Sequence, residues 1–149
     1  MDPRWRPPDG PAYCHLLGLY LGDGCITRAS TGSSVIAITL DKRYPGIVAQ
    51  ALSTLRTTFP ETPAHCYGHK RGCFLVQMSH PSLPAAFPQH GPGRKHLRCV
   101  ALTDWQLGLT RRAPEALLGG LIHSDGARCV NRFDTELPSV LSQFWVVFG

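Results

Sequence analysis

The 149-residue chain fits one ordinary domain or two halves of a small pseudo-symmetric one. Its 43% hydrophobic content supports a core and excludes wholesale disorder, while no run reaches the ~18 to 20 apolar residues of a membrane span. Charge is concentrated: residues 61–112 carry seven basic groups against two acids, a surplus equal to the +5 of the whole chain, together with five of the seven histidines. Such a cationic segment points to a polyanionic partner, nucleic acid first.

The opening MDPRWRPPDG has basic residues but no apolar run behind them, unlike a secretory signal. Its Pro and Arg content predicts a flexible tail over residues 1–12. From Tyr13, apolar residues recur at helical steps (Leu16, Leu17, Tyr20, Leu21) up to Asp23-Gly24. Strands are predicted over 25–28 and 34–40 around the turn-forming Ser30-Thr31-Gly32-Ser33, with Ile36, Ile38 and Leu40 on one face. A helix follows from Pro45 through Thr58, striped by Ile47, Val48, Ala51, Leu52 and Leu55. A second strand pair covers Ala64–Tyr67 and Cys73–Ser79, turning through Gly68 to Gly72. Residues 80–98 are too rich in Pro and Gly for regular structure and read as a functional or mobile loop. Helical patterning resumes near Asp104, breaks at Pro114 and runs again from Glu115 through Asp125. The six cysteines show no framework spacing and read as reduced thiols of a cytoplasmic protein.

The strongest signal is an internal repeat. Leu16-Leu17-Gly18-Leu19-Tyr20-Leu21-Gly22-Asp23-Gly24 aligns with Leu118-Gly119-Gly120-Leu121-Ile122-His123-Ser124-Asp125-Gly126 at a constant offset of 102. Each copy ends a predicted helix and precedes a strand-like segment. Gly18 and Gly22, like Gly120 and Ser124, stand four apart, so each helix carries a strip without bulky side chains. Glycine within a helix costs roughly 0.5 to 1 kcal/mol relative to alanine. The cost makes sense where another backbone comes closer than the usual ~8 to 10 Å between helix axes. Two such helices packed together would bring Asp23 and Asp125 side by side at their C-terminal ends. Carboxylates at the negative end of a helix dipole repel each other and mismatch the dipole, which a divalent cation would relieve. Magnesium is commonly held by one or two carboxylates with water and phosphate oxygens, and can activate water for phosphodiester hydrolysis. A single copy also reads as a simple helix stop, Asp-Gly in a turn. Two matched copies favour the paired reading.

These two motifs, LLGLYLGDG and LLGGLIHSDG, resemble those of the LAGLIDADG homing endonuclease family. The order of elements after the first motif is similar to that family's αββαββα unit. The resemblance is closest to actinobacterial LAGLIDADG-like proteins, which carry a comparable FPQHGPGRKH loop between the motifs, here Phe87 to His96. It covers residues from about Tyr13 to Arg132. It implies an α+β saddle: a first repeat over 13–103, then a linker helix, the second motif helix and a partial second repeat over 104–149. It further implies antiparallel sheets along the major groove of double-stranded DNA, and motif acids that hold Mg²⁺ or Mn²⁺. Carried over by position, Gly18, Gly22, Gly120 and Ser124 are helix-packing residues, and Asp23 and Asp125 are metal ligands and catalytic acids. Lys95 is a candidate for polarising the phosphate, with Arg94 and Gln77 as others. Arg28, Thr39, Lys70, Arg71, Gln77, Arg94, Lys95 and Arg98 are candidate DNA contacts.

The chain departs from the family after the second motif, where 23 residues follow instead of the 77 between Cys25 and Ala101. The second half-saddle is then largely missing, and a homodimer is one way to complete it. An inactive DNA-binding or regulatory protein, or a remnant of a mobile element, is the alternative to a nuclease. Other signals are weaker. His65, Cys66, His69 and Cys73 offer zinc-ligand types but lack the two paired knuckles of a structural site, so a basic hairpin tip is the preferred reading. No spacing supports a Cys/His nucleophilic pair. The loop from Gln89 to His96 lacks the spacing of a Walker phosphate loop.

Overall fold

The computed structural model describes residues 4–91 and 95–124. Helix α1 runs over Gly10–Asp23, followed by strands β1 (Gly24–Arg28) and β2 (Ser34–Asp41) and helix α2 (Pro45–Thr58). Strands β3 (His65–His69) and β4 (Cys73–Ser79) lead to a single turn, α3 (Leu83–Ala86), and then to helices α4 (Asp104–Arg112) and α5 (Pro114–Ser124). The result is an α+β fold in the order αββαββα, extended by α4 and α5. The four strands form one antiparallel sheet in the order β1-β2-β4-β3.

Burial explains the arrangement. Ile36, Ile38 and Leu40 of β2 and Val76 and Met78 of β4 form the covered face of the sheet, with Val48, Ala51 and Leu55 of α2 in the same core. The alternation read in β2 is the one the sheet uses. Helix α1 is different, because every residue from Tyr13 to Tyr20 is buried. It is the central rod of the molecule, packed against α2, α4, α5 and the sheet. A helix enclosed on all sides needs no polar face.

Three expectations are corrected. The N-terminal segment is not a loose tail where it is described. Asp9 caps α1 by accepting from the Ala12 amide at 2.8 Å, and Pro11 stands in the first turn, so the helix begins three residues before Tyr13. Trp5 packs on Phe59, Tyr13 and Trp105, with ring centroids 5.2 to 6.4 Å apart. Aromatic burial outweighs the local Pro and Arg content.

Residues 80–91, the described first part of the predicted 80–98 loop, are likewise more ordered than their composition implies. Leu83, Ala86 and Phe87 are fully buried. The Tyr13 hydroxyl donates to the Ala86 carbonyl at 2.6 Å, and the Gln106 amide donates to the Tyr13 oxygen at 2.8 Å. Gln89 pairs its amide with that of Gln106 and donates to the Ala101 carbonyl at 3.0 Å. Buried polar groups satisfied in this way fix the loop to α1 and α4. Finally, β3 runs two residues further than expected and the turn shortens to Lys70–Gly72, with Arg71 in the left-handed region at φ 53°.

Candidate functional site

The contact between α1 and α5 is made of backbone. A Cβ on Gly18 would lie 2.7 Å from the Leu121 nitrogen and 2.8 Å from the Gly120 Cα, and would overlap the Leu117 carbonyl. A Cβ on Gly120 would lie 2.9 Å from both the Gly18 Cα and the Leu19 nitrogen, and would overlap the His15 carbonyl. Only hydrogen fits at either place. Leu117 and Leu121 flank the contact and are buried. Ser124 donates its hydroxyl to the Leu121 carbonyl at 3.2 Å, and its Oγ lies 3.4 Å from the Gly18 carbonyl across the seam.

A pair of histidines also bridges the seam. His15 Nε2 and His123 Nδ1 are 3.1 Å apart. Burial pushes the His15 pKa down to about 4, and the neighbouring His123 adds to the depression. Sequence pattern did not single out this pair, since the two positions are not equivalent in the repeat.

Beside the seam lies an open cavity of about 590 Å³, lined by Asp23, Thr39, Asp41, Tyr44, Ile47, Cys73, Ile122, His123 and Ser124 among others. Asp23, the last residue of α1, is exposed on its wall. Asp41 is committed elsewhere. Arg43 donates to its carboxylate from Nε at 2.9 Å, from the guanidinium at 2.7 Å and from the backbone at 2.8 Å, which holds the Asp41 carboxyl below its usual range. Among the described residues no three of His, Cys, Asp and Glu come together as a metal site. Asp125 and Arg94 lie outside the described residues.

The end of α1 receives cations from a distant loop. Lys95 donates to the Tyr20 carbonyl, its Nζ lies 3.5 Å from the Gly22 carbonyl, and the same ammonium sits 4.3 Å from the centre of the Tyr20 ring. Arg98 acts on Tyr20 as well: burial raises the phenol pKa to about 12, and the guanidinium works against the rise. The Arg98 Nε is buried without a hydrogen bond. Lys95 contacts Tyr20 directly, and the Arg98 guanidinium acts on the same phenol electrostatically.

The outward sheet face is defined by register. Its rows across the strands are Thr27–Val35–Ser79, Cys25–Ala37–Gln77–His65, Thr39–Leu75–Tyr67, and Asp41–Cys73–His69. Thr39 and Gln77 stand in adjacent rows. Arg28 belongs by register to the opposite face, at the exposed end of β1, where its Nε donates to the Gly32 carbonyl at 3.1 Å. Lys70 and Arg71 are exposed at the β3–β4 turn. The sequence reading weighed His65 and His69 as zinc ligands and preferred a basic hairpin tip, but it did not see that they share this face with Tyr67, all three exposed beside that turn. Their spacing of two residues was the available signal.

No protein-family model and no curated protein matches the chain. Two solved structures of the homing endonuclease I-DmoI are similar to it. One, from a study of mesophilic variants, is 15% identical with a TM-score of 0.49, covering 82% of this chain and 65% of that chain. The other, I-DmoI in complex with DNA and Ca, is 14% identical with a TM-score of 0.47, covering 80% of this chain and 59% of that chain. The chain thus spans less than two thirds of the length of either.

Proposed function

We propose that this chain is a LAGLIDADG-type DNA-binding protein that hydrolyses phosphodiester bonds of double-stranded DNA at a specific site with Mg²⁺ or Mn²⁺. The observation that carries the reading is the seam itself: the two repeat motifs meet at Gly18 and Gly120, and Asp23 and Ser124, the last described residue of the second motif, line one cavity. The oxygen chemistry of Asp23 suits a hard cation, whose remaining ligands would be Asp125, water and phosphate. When bound, the metal would lower the pKa of a water and neutralise charge on the scissile phosphate. The outward sheet face, with Thr39, Gln77, His65 and Tyr67, would lie against the bases and backbone, and Lys70 and Arg71 would meet phosphates.

The test is incubation of the purified chain with a plasmid library and Mg²⁺ or Mn²⁺ beside Asp23→Asn. Metal-dependent cuts that fall at least ~100-fold in the variant support the nuclease. Retarded but intact DNA supports a second reading, a DNA-binding protein that does not cut. Retention should weaken steeply with salt in both cases, roughly 10³-fold or more from 50 to 200 mM if six or more phosphates are contacted.

A further inference from the structure

The charges at the end of α1 pose a problem that the loop beyond the sheet resolves. The last turn of α1 carries Asp23 and no basic residue. The helix therefore presents unsatisfied carbonyls, the negative end of its dipole and a carboxylate at one point. The Tyr20 carbonyl accepts the backbone N–H of Gly24, the residue that turns the chain into β1. The same oxygen accepts from Lys95, whose Nζ also approaches the Gly22 carbonyl. The aromatic ring of Tyr20 lies under this ammonium. Arg98, one turn further along the chain, is packed so closely against Gly91 that a Cβ there would lie 2.7 Å from the guanidinium.

We propose that Lys95 is a positioning residue for Asp23. It caps α1 from a separate part of the chain and fixes the last turn from Tyr20 to Gly24, so that the Asp23 carboxylate is held at the cavity wall. This assignment rests on the reading of Asp23 as a metal ligand, and it replaces the role of Lys95 as a group that polarises the phosphate. A cation spent on helix carbonyls is a fixed part of the frame, and its removal loosens the acid rather than weakening the grip on DNA.

The experiment uses the full chain as wild type, Lys95→Met and Lys95→Arg, with three readouts. Amide hydrogen exchange at Asp23 and Gly24 should speed up about tenfold in Lys95→Met and return close to the wild-type rate in Lys95→Arg. Mn²⁺ affinity of the protein–DNA complex should fall about tenfold in Lys95→Met and recover in Lys95→Arg, while DNA retention without metal and the melting temperature stay near wild type. A global structural role would lower the melting temperature and speed exchange throughout the fold, which overturns the proposal. Unchanged exchange at Asp23 and Gly24 also overturns it, as does weaker DNA retention with Mn²⁺ affinity intact, the mark of a phosphate contact. If exchange responds as expected but the wild type takes up no Mn²⁺, the capping role stands and the metal reading of Asp23 fails.

Discussion

Helices α1 and α5 carry the two copies of one motif, yet the fold treats them unequally. Helix α1 is enclosed from Tyr13 to Tyr20, whereas α5 buries Leu117, Gly120 and Leu121 against α1 and leaves Glu115 and Leu118 exposed. A shared motif therefore encodes one contact, the glycine seam, and not a shared environment. Among the described residues, what surrounds each helix is set by the elements around it: α1 has the sheet, α2 and α4, and α5 has α1 and α4. The difference also assigns roles, with α1 as scaffold and α5 as the helix that docks on it.

Substitutions at the seam should have the largest effect. Gly18→Ala and Gly120→Ala each drive a methyl into backbone on the other helix, and each should cost about 3 kcal/mol or more in denaturant unfolding. A loss below about 1 kcal/mol would mean that the two helices do not meet at their glycines. The unequal burial can be tested with one residue type: Leu17→Ala, in α1 at 0% exposure, should cost about 3 kcal/mol, and Leu118→Ala, in α5 at 38% exposure, about 0.5 kcal/mol or less. Equal losses would show that α5 is covered as fully as α1.

Acid should open the seam next. The folded pKa of His15 is about 4 against an ordinary 6.5, so the unfolded chain binds the proton first as pH falls. The stability that neutral His15 contributes is complete above pH 6.5 and is lost between 6.5 and about 4, on the order of 3 kcal/mol in all. His15→Phe should flatten that part of the stability profile, and a parallel profile in the variant would remove His15 as its source. The smallest effect is expected at Gly119, where among the described residues a Cβ would meet only the His15 ring, at an ordinary 3.7 Å. Gly119→Ala should be neutral or stabilise by up to ~1 kcal/mol through helix propensity.

Legibility in the sequence followed the range of the interactions. The spans of α2 and β4 were readable to the residue, because periodicity and flanking Pro or Gly are local signals. The paired motifs pointed to Gly18 and Gly120 because repetition survives where single-residue propensity is ambiguous. Trp5 and Gln89 were misjudged for the opposite reason. Trp5 is ordered by Phe59 and Trp105, and Gln89 by Gln106, partners far away in the chain that composition does not reveal. Lys95 is the sharpest case at the site. A basic residue in a Gly-rich loop reads as a phosphate contact, and only the three-dimensional placement of Tyr20 shows where its ammonium rests.

The enclosure of α1 has a consequence for biosynthesis. The helix leaves the ribosome about a hundred residues ahead of the wall that α5 provides. Until that wall is translated, Leu16, Leu17 and Leu19 have no complete shelter, and closure depends on contacts of large sequence separation, which form slowly. Nascent chains stalled before Pro114 should therefore engage chaperones that recognise greasy segments, and release them once α5 has emerged.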